Sequence, residues 1–266
     1  MSEAFAGIPE QDIQYPLLVS LFGETKAGKT WFAANFPNAV ILDFPPCRFF
    51  FGGVEVQECQ LKRKYGEAFR SLFRSVAKNG EVRYFPTVDN FDPERQYYFV
   101  RTHDEFLAAL DKTKFWADEL ADKKERVWVV IDDSYRWRGQ EVLNFIAKSS
   151  KHRYPAQMEF GQITQAMQGQ ITQIQNFANV LVVHRMSNDF NTGLPTPTIY
   201  PTNCDYNADA SLEIKKRFKE NNKDEERLIV VRSDGFADTL DKDFQKELPA
   251  TPMEVLAALR IPSGLW

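Results

Sequence analysis

The run Gly23-Glu24-Thr25-Lys26-Ala27-Gly28-Lys29-Thr30 matches the pattern G-x-x-x-x-G-K-[ST], and no other stretch constrains the fold as much. The pattern alone is weak; its flanks make it specific. Before it stands Tyr15-Pro16-Leu17-Leu18-Val19-Ser20-Leu21-Phe22, an apolar run of strand length. After it comes Trp31-Phe32-Ala33-Ala34-Asn35-Phe36-Pro37, a short helical pattern stopped by proline. Strand, glycine loop and helix start, in that order, make an anion site. Free backbone N–H groups and the positive end of the helix dipole converge there. Gly23 and Gly28 permit the tight backbone path. This assigns phosphate binding to Gly23, Glu24, Thr25, Lys26, Ala27, Gly28, Lys29, Thr30 and Trp31. Lys29 is expected to reach the β- and γ-phosphates of a nucleotide, and the Thr30 hydroxyl to ligate Mg²⁺.

A second stretch supplies the complementary chemistry. Val127-Trp128-Val129-Val130-Ile131 is apolar throughout, as in a strand buried on both faces, and ends in Asp132-Asp133-Ser134. A carboxylate at the end of such a strand holds Mg²⁺ directly or through water. Counting from the apolar run gives the metal to Asp132 and leaves Asp133 as base for the attacking water. Reading Asp-Ser as the signature reverses them, and Asp133 also suits a helix cap. Asn179-Val180-Leu181-Val182-Val183 is another buried-type strand, followed by His184 and Arg185. Ligands of open parallel sheets sit at the carboxyl ends of strands, where Asp43, Asp132 and His184 all fall. His184 is thereby a candidate catalytic residue sensing the γ-phosphate, against the alternative of a structural histidine.

These strands alternate with helical patterns, which predicts an α/β domain with a mainly parallel sheet. Residues 1–13 read as a tail, 47–95 as an insertion beside the site, 208–240 as a C-terminal hairpin, and 251–266 as a helix and tail. Within the insertion, Phe49-Phe50-Phe51 reads as core more readily than as a stacking platform. Thr102 to Glu105 has the form of a capping box opening a helix through about Leu120, with Phe106, Leu107, Leu110 and Phe115 as its apolar positions. A helix over 158–177 carries Ile163, Met167, Ile171, Ile174 and Phe177 on one face and glutamines mostly on the other. Residues 186–207 read as a loop. Basic residues of the hairpin, Lys216, Arg217 and Arg232, could serve as fingers on a neighbouring subunit's nucleotide, or stand solvated.

Composition narrows the setting. No apolar run approaches the ~20 residues of a bilayer span, and the N-terminus lacks signal-peptide character. Three cysteines, Cys47, Cys59 and Cys204, lie at no ligand spacing, as expected of reduced thiols in a cytoplasm. The net charge of −4 means that nucleic-acid binding must use a local basic patch.

Taken together, the chain resembles the phage-encoded RecA-like P-loop ATPases, including single-strand-annealing recombination ATPases. The resemblance rests on Gly23-x-x-Lys26-x-Gly28-Lys29-Thr30, Ala34-Asn35-Phe36-Pro37, Ile41-Leu42-Asp43, Val129-Val130-Ile131-Asp132-Asp133-Ser134, the helix after Phe160-Gly161, Val182-Val183-His184 and Asn207-Ala208-Asp209-Ala210. It implies a single RecA-like domain over 1–266, with the strand ending at His184 between the strands of the glycine loop and the aspartates. It further implies ATP and Mg²⁺ as cofactors and homo-oligomers with sites at subunit interfaces. Single-stranded DNA and a single-strand-binding or other replication protein are the implied partners, in a host cytoplasm. Two features depart from the family pattern: Asp43 is followed by Phe44-Pro45-Pro46, and the 47–95 segment is long and aromatic.

Other classes fit less well. A small-molecule kinase would add an Arg-rich lid and an acidic nucleoside site. A GTPase would need Asn-Lys-x-Asp, where this chain has Asn222-Lys223-Asp224-Glu225. A nucleotide-gated assembly factor shares the same motifs and differs only in turnover.

Overall fold

The computed structural model describes residues 15–24, 27–44, 67, 73–78, 81–86, 92–149, 153–188, 192–202, 204–205, 207–218, 225–234, 247–259 and 261. The tail at 1–13, Thr25 and Lys26, the phenylalanine triplet at 49–51, the hairpin turn at 219–224 and residues 262–266 lie outside them.

The apolar runs are strands. β1 (Leu18–Gly23) leads through α1 (Lys29–Ala34) to β2 (Ala39–Asp43). A hairpin, β3 (Phe73–Lys78) with β4 (Glu81–Pro86), is followed by the single turn α2 (Pro93–Gln96), then β5 (Tyr97–Phe99) and α3 (His103–Ala121). Next come β6 (Trp128–Asp132), α4 (Ser134–Lys148), α5 (Glu159–Gln175) and β7 (Asn179–Val183). A small hairpin, β8 (Arg185–Asn188) and β9 (Pro195–Thr198), precedes β10 (Ala210–Phe218), β11 (Glu225–Asp234), β12 (Glu247–Pro249) and α6 (Pro252–Ala258).

Eight strands form one sheet in the order β12-β11-β10-β1-β7-β6-β2-β5. From β10 to β5 all neighbours are parallel, while β11 and β12 add antiparallel at one edge. The α/β class, the mainly parallel sheet and the C-terminal hairpin agree with the sequence reading. β7 lies between β1 and β6, the order that the RecA-like resemblance implies.

Side-chain alternation divides the core into two layers. Val19, Leu21, Ile41, Val130, Leu181 and Leu212 pack with Phe32 and Phe36 beside α1 and with Val255 and Leu256 of α6. Leu18, Val40, Leu42, Val129, Ile131 and Val182 face the other way, onto Phe106, Leu110, Trp137, Ile163, Met167 and Ile174 of α3, α4 and α5. Covering both faces is what lets the central strands be apolar at every position. Each fully buried Leu, Ile or Val contributes about 1.5–3 kcal/mol.

The entry of β1 is pinned by side chains. Leu17 N donates to Asn179 Oδ1 at 2.9 Å, and Leu18 N donates to Asp209 Oδ2 at 2.7 Å. With that register, Asp43 pairs Asp132, and both Asp132 and Leu21 pair Val183. The carboxyl ends of β1, β2, β6 and β7 therefore share one edge.

Three local expectations change. The 186–207 stretch is no simple loop, because β8 and β9 pair antiparallel within it. In α3, Phe106 and Leu110 are buried but Phe115 is 68% exposed; Trp116, one position on, takes its place. In α5, Gln170 belongs to the buried face beside Met167 and Ile171. It is retained there by hydrogen bonds, since Trp137 Nε1 donates to Gln170 Oε1 at 3.0 Å and Gln170 Nε2 donates to Glu141 Oε1 at 3.1 Å. The Thr102 cap is present as expected, accepting from Glu105 N at 3.1 Å. No described helix is long and apolar enough to cross a membrane.

Candidate nucleotide-binding site

The glycine loop leaves the carboxyl end of β1. Gly23 sits against β10: a Cβ there would lie 2.6 Å from Ile214 O, so only glycine allows this approach. Gly28 has φ 99°, a left-handed conformation that favours glycine, and begins α1. Lys29 Nζ folds back and donates to the carbonyls of Gly23 and Glu24, each at 2.8 Å. Thr30 Oγ1 donates to Asp132 Oδ2 at 2.6 Å, joining residues 102 positions apart. Glu24 is exposed, Ala27 is buried, and Trp31 is half-buried at the start of α1.

Electrostatics single out Asp132. Burial, then the neighbouring Asp133 and Asp43, raise its pKa to about 6, against the opposing bond from Thr30. Burial likewise pulls Lys29 below the ordinary lysine value, while Asp132 and Asp133 oppose the shift. A hydroxyl and a carboxylate oxygen side by side are the hard donors that Mg²⁺ prefers. The donor set at Thr30 and Asp132 thus fits this ion.

Asp133 is engaged differently. Its Oδ1 accepts from Arg136 N at 2.9 Å, capping α4, and its Oδ2 accepts from Arg185 Nε at 2.5 Å. Both oxygens are committed, which favours the cap over the water-activating base. Arg185 also lies over the Tyr135 ring, 5.4 Å from its centroid. Asp43 is held by Tyr97 Oη, which donates to it at 2.9 Å, and by Arg136 at 3.7 Å.

His184 is fully buried rather than open to the edge, so it does not touch a ligand in this arrangement. Its Nδ1 lies 2.8 Å from Ser134 Oγ, and burial lowers its pKa to about 3. This contact ties the residue after β7 to the first residue of α4.

No family model matches the chain, and no curated protein matches its sequence. Among solved structures it is similar to a KaiC-like protein from the hyperthermophilic archaeon Pyrococcus horikoshii. The identity is 13% and the TM-score 0.35, over 88% of this chain and 85% of that one.

The proposed fingers are placed on the hairpin. Arg217 pairs with Glu247 at 3.5 Å, both exposed. Arg232 pairs with Glu213 on the adjacent strand. Lys216 stands opposite Arg227 in the β10–β11 ladder. Sequence reasoning passed over Arg185, Arg136 and Arg227. Arg185 was legible as the cation following His184 at a strand end; Arg136 and Arg227 reach the site only through helix phase and hairpin register.

Proposed function

We propose that this chain is a Mg²⁺-dependent ATPase of the RecA-like kind, acting on single-stranded DNA in recombination, strand annealing or replication. The observation that carries the nucleotide part is the contact of Thr30, in the first turn of α1, with Asp132 at the end of β6, with Lys29 one residue before Thr30. On this reading Lys29 leaves the Gly23 and Glu24 carbonyls for the β- and γ-phosphates, and Thr30 and Asp132 hold the ion. The ion supplies charge neutralisation at the transferring phosphoryl group. Asp133 positions Arg185, a cation suited to charge that develops on that group. Homo-oligomers would bring Lys216, Arg217 or Arg232 to a neighbour's site, and a single-strand-binding or other replication protein is the expected partner, in a host cytoplasm.

A surface beyond α4 supports the DNA part. The Arg138 guanidinium lies between the rings of Phe160 and Tyr200, 4.6 and 4.5 Å from their centroids. Tyr154, 53% exposed, packs on Phe160. Half-exposed aromatics interleaved with arginine stack bases without sequence preference.

Steady-state ATP turnover, with and without single-stranded DNA, tests the proposal. Turnover stimulated by single strands and reduced about 100-fold or more in Lys29→Ala is expected. Turnover indifferent to nucleic acid would redirect the assignment to a kinase or an assembly factor. Unchanged turnover in Lys29→Ala would remove the phosphate site itself.

A further inference from the structure

The parallel pairing of β10 with β1 ends at Ile214 opposite Gly23. β10 nevertheless continues to Phe218, with β11 alongside it from Glu225. This arm overhangs the glycine loop of its own chain. Its face toward α1 is apolar along most of its length: Leu212 opposite Val231, then Ile214 opposite Ile229, all in the core layer with Phe32. At the next pair on that face the chemistry switches to Lys216 opposite Arg227. The switch falls where the arm passes the loop. A Cβ at Gly28 would lie 2.8 Å from Arg227 Nη1 and 3.0 Å from its Cζ, so the guanidinium rests directly on the glycine backbone.

Beside this contact is a cavity of about 370 Å³, lined by Gly28, Trp31, Phe32, Ile214, Arg227 and Ala250. It falls in the size range of small-ligand sites. Among the described residues its walls are one indole, one phenyl ring, two aliphatic side chains, a glycine and one planar cation, with no carboxylate. Such walls suit a flat, electron-rich, uncharged ring joined to an anion. They do not suit a second metal ion or a free cation. Asp132 belongs to β6, on the far side of β1 from β10, so cavity and metal-ligating pair flank the glycine loop.

We infer that this crevice receives the nucleoside end of the nucleotide, and that Arg227 is the residue on which the base stacks, acting within its own chain. The inference rests on the nucleotide-binding reading above and adds to it a residue that determines nucleoside affinity. Guanidinium planes stack on aromatic faces in a way that an ammonium does not. A guanidinium laid over a base face adds cation–π attraction to the contact.

The test measures dissociation constants for ATP and for inorganic tripolyphosphate, both with Mg²⁺, by calorimetry on the full chain. Wild type, Arg227→Ala, Arg227→Lys and Lys29→Ala are compared. Arg227→Lys keeps the charge and removes the plane. ATP affinity is expected to fall about tenfold in both Arg227 variants, with tripolyphosphate affinity in Arg227→Lys equal to that of wild type. If Arg227→Lys restores ATP affinity, the residue is a phosphate cation and the stacking role is overturned. If neither Arg227 variant changes ATP affinity, the crevice is not the nucleoside site. Those failures are separate from failure of the underlying reading, which would appear as wild type binding neither ligand or Lys29→Ala binding both normally.

Discussion

Three carboxylates gather at the edge, and their partners sort them. Tyr97 and Arg136 hold Asp43; the α4 backbone and Arg185 hold Asp133. Asp132 has the Thr30 hydroxyl on Oδ2; its burial first, and then the Asp133 and Asp43 charges, raise its pKa. This gives a pH dependence whose sign can be worked out. Between the ordinary aspartate value of 3.8 and about 6, the folded chain binds a proton at Asp132 that the unfolded chain releases, so stability rises as pH falls. His184 runs the other way. The unfolded chain protonates it below 6.5 while the fold refuses the proton until about 3, so stability falls with pH at up to about 1.4 kcal/mol per unit. The two oppose each other in the wild type. Asp132→Asn is expected to expose the histidine contribution. Urea unfolding of the nucleotide-free protein between pH 6.5 and 4.5 should show a steeper loss in the variant, and parallel profiles would contradict this.

The helices show where pattern reading succeeds and where it stops. Thr102 and Glu105 mark the start of α3 because a cap is a local device, written in adjacent residues. The apolar face of the same helix was harder to read. Phe115 and Trp116 are both large and apolar, and only packing against the sheet decides that the tryptophan turns inward. Gln170 is the sharper case. Polarity argues for the surface, yet it is buried because Trp137 and Glu141 satisfy both ends of its amide. A partner on another helix cannot be seen in a hydrophobic pattern. Gln170→Leu should therefore destabilise the fold by about 1–3 kcal/mol despite its greater hydrophobicity, because it strands the Trp137 N–H and takes one donor from Glu141. Thermal unfolding checks this, and an unchanged or higher midpoint would show that the network is dispensable. The β8–β9 hairpin was likewise hidden, as its strands are short and rich in proline and polar residues.

For the chain as an assembled unit, the sheet was the most legible part. Strands buried on both faces are written as continuous apolar runs, whereas the place of β7 between β1 and β6 was implied only by the RecA-like resemblance. The metal-side pair was legible too: Asp132 ends such a strand, and Thr30 closes the glycine-loop motif at the start of α1. Arg136 and Arg227 were not, because these arginines reach the site along side chains several ångströms long. Arg232 illustrates the consequence: it pairs with Glu213 of its own chain, yet is proposed to act on a neighbour's nucleotide. Mixing Arg232→Ala with Lys29→Ala tests that at the level of the oligomer. If the site is shared between subunits, the mixture regains turnover that neither variant has. A mixture as inactive as its components would confine Arg232 to the Glu213 pair.

The most direct measurement is a calorimetric titration of ATP into the wild type and Asp132→Asn, each with and without Mg²⁺. If Thr30 and Asp132 hold the ion beside the phosphates, Mg²⁺ tightens ATP binding in the wild type, and Asp132→Asn loses that gain while still binding metal-free ATP. Equal tightening in both proteins, or no ATP binding by the wild type, would contradict the assignment of this edge as a nucleotide and metal site.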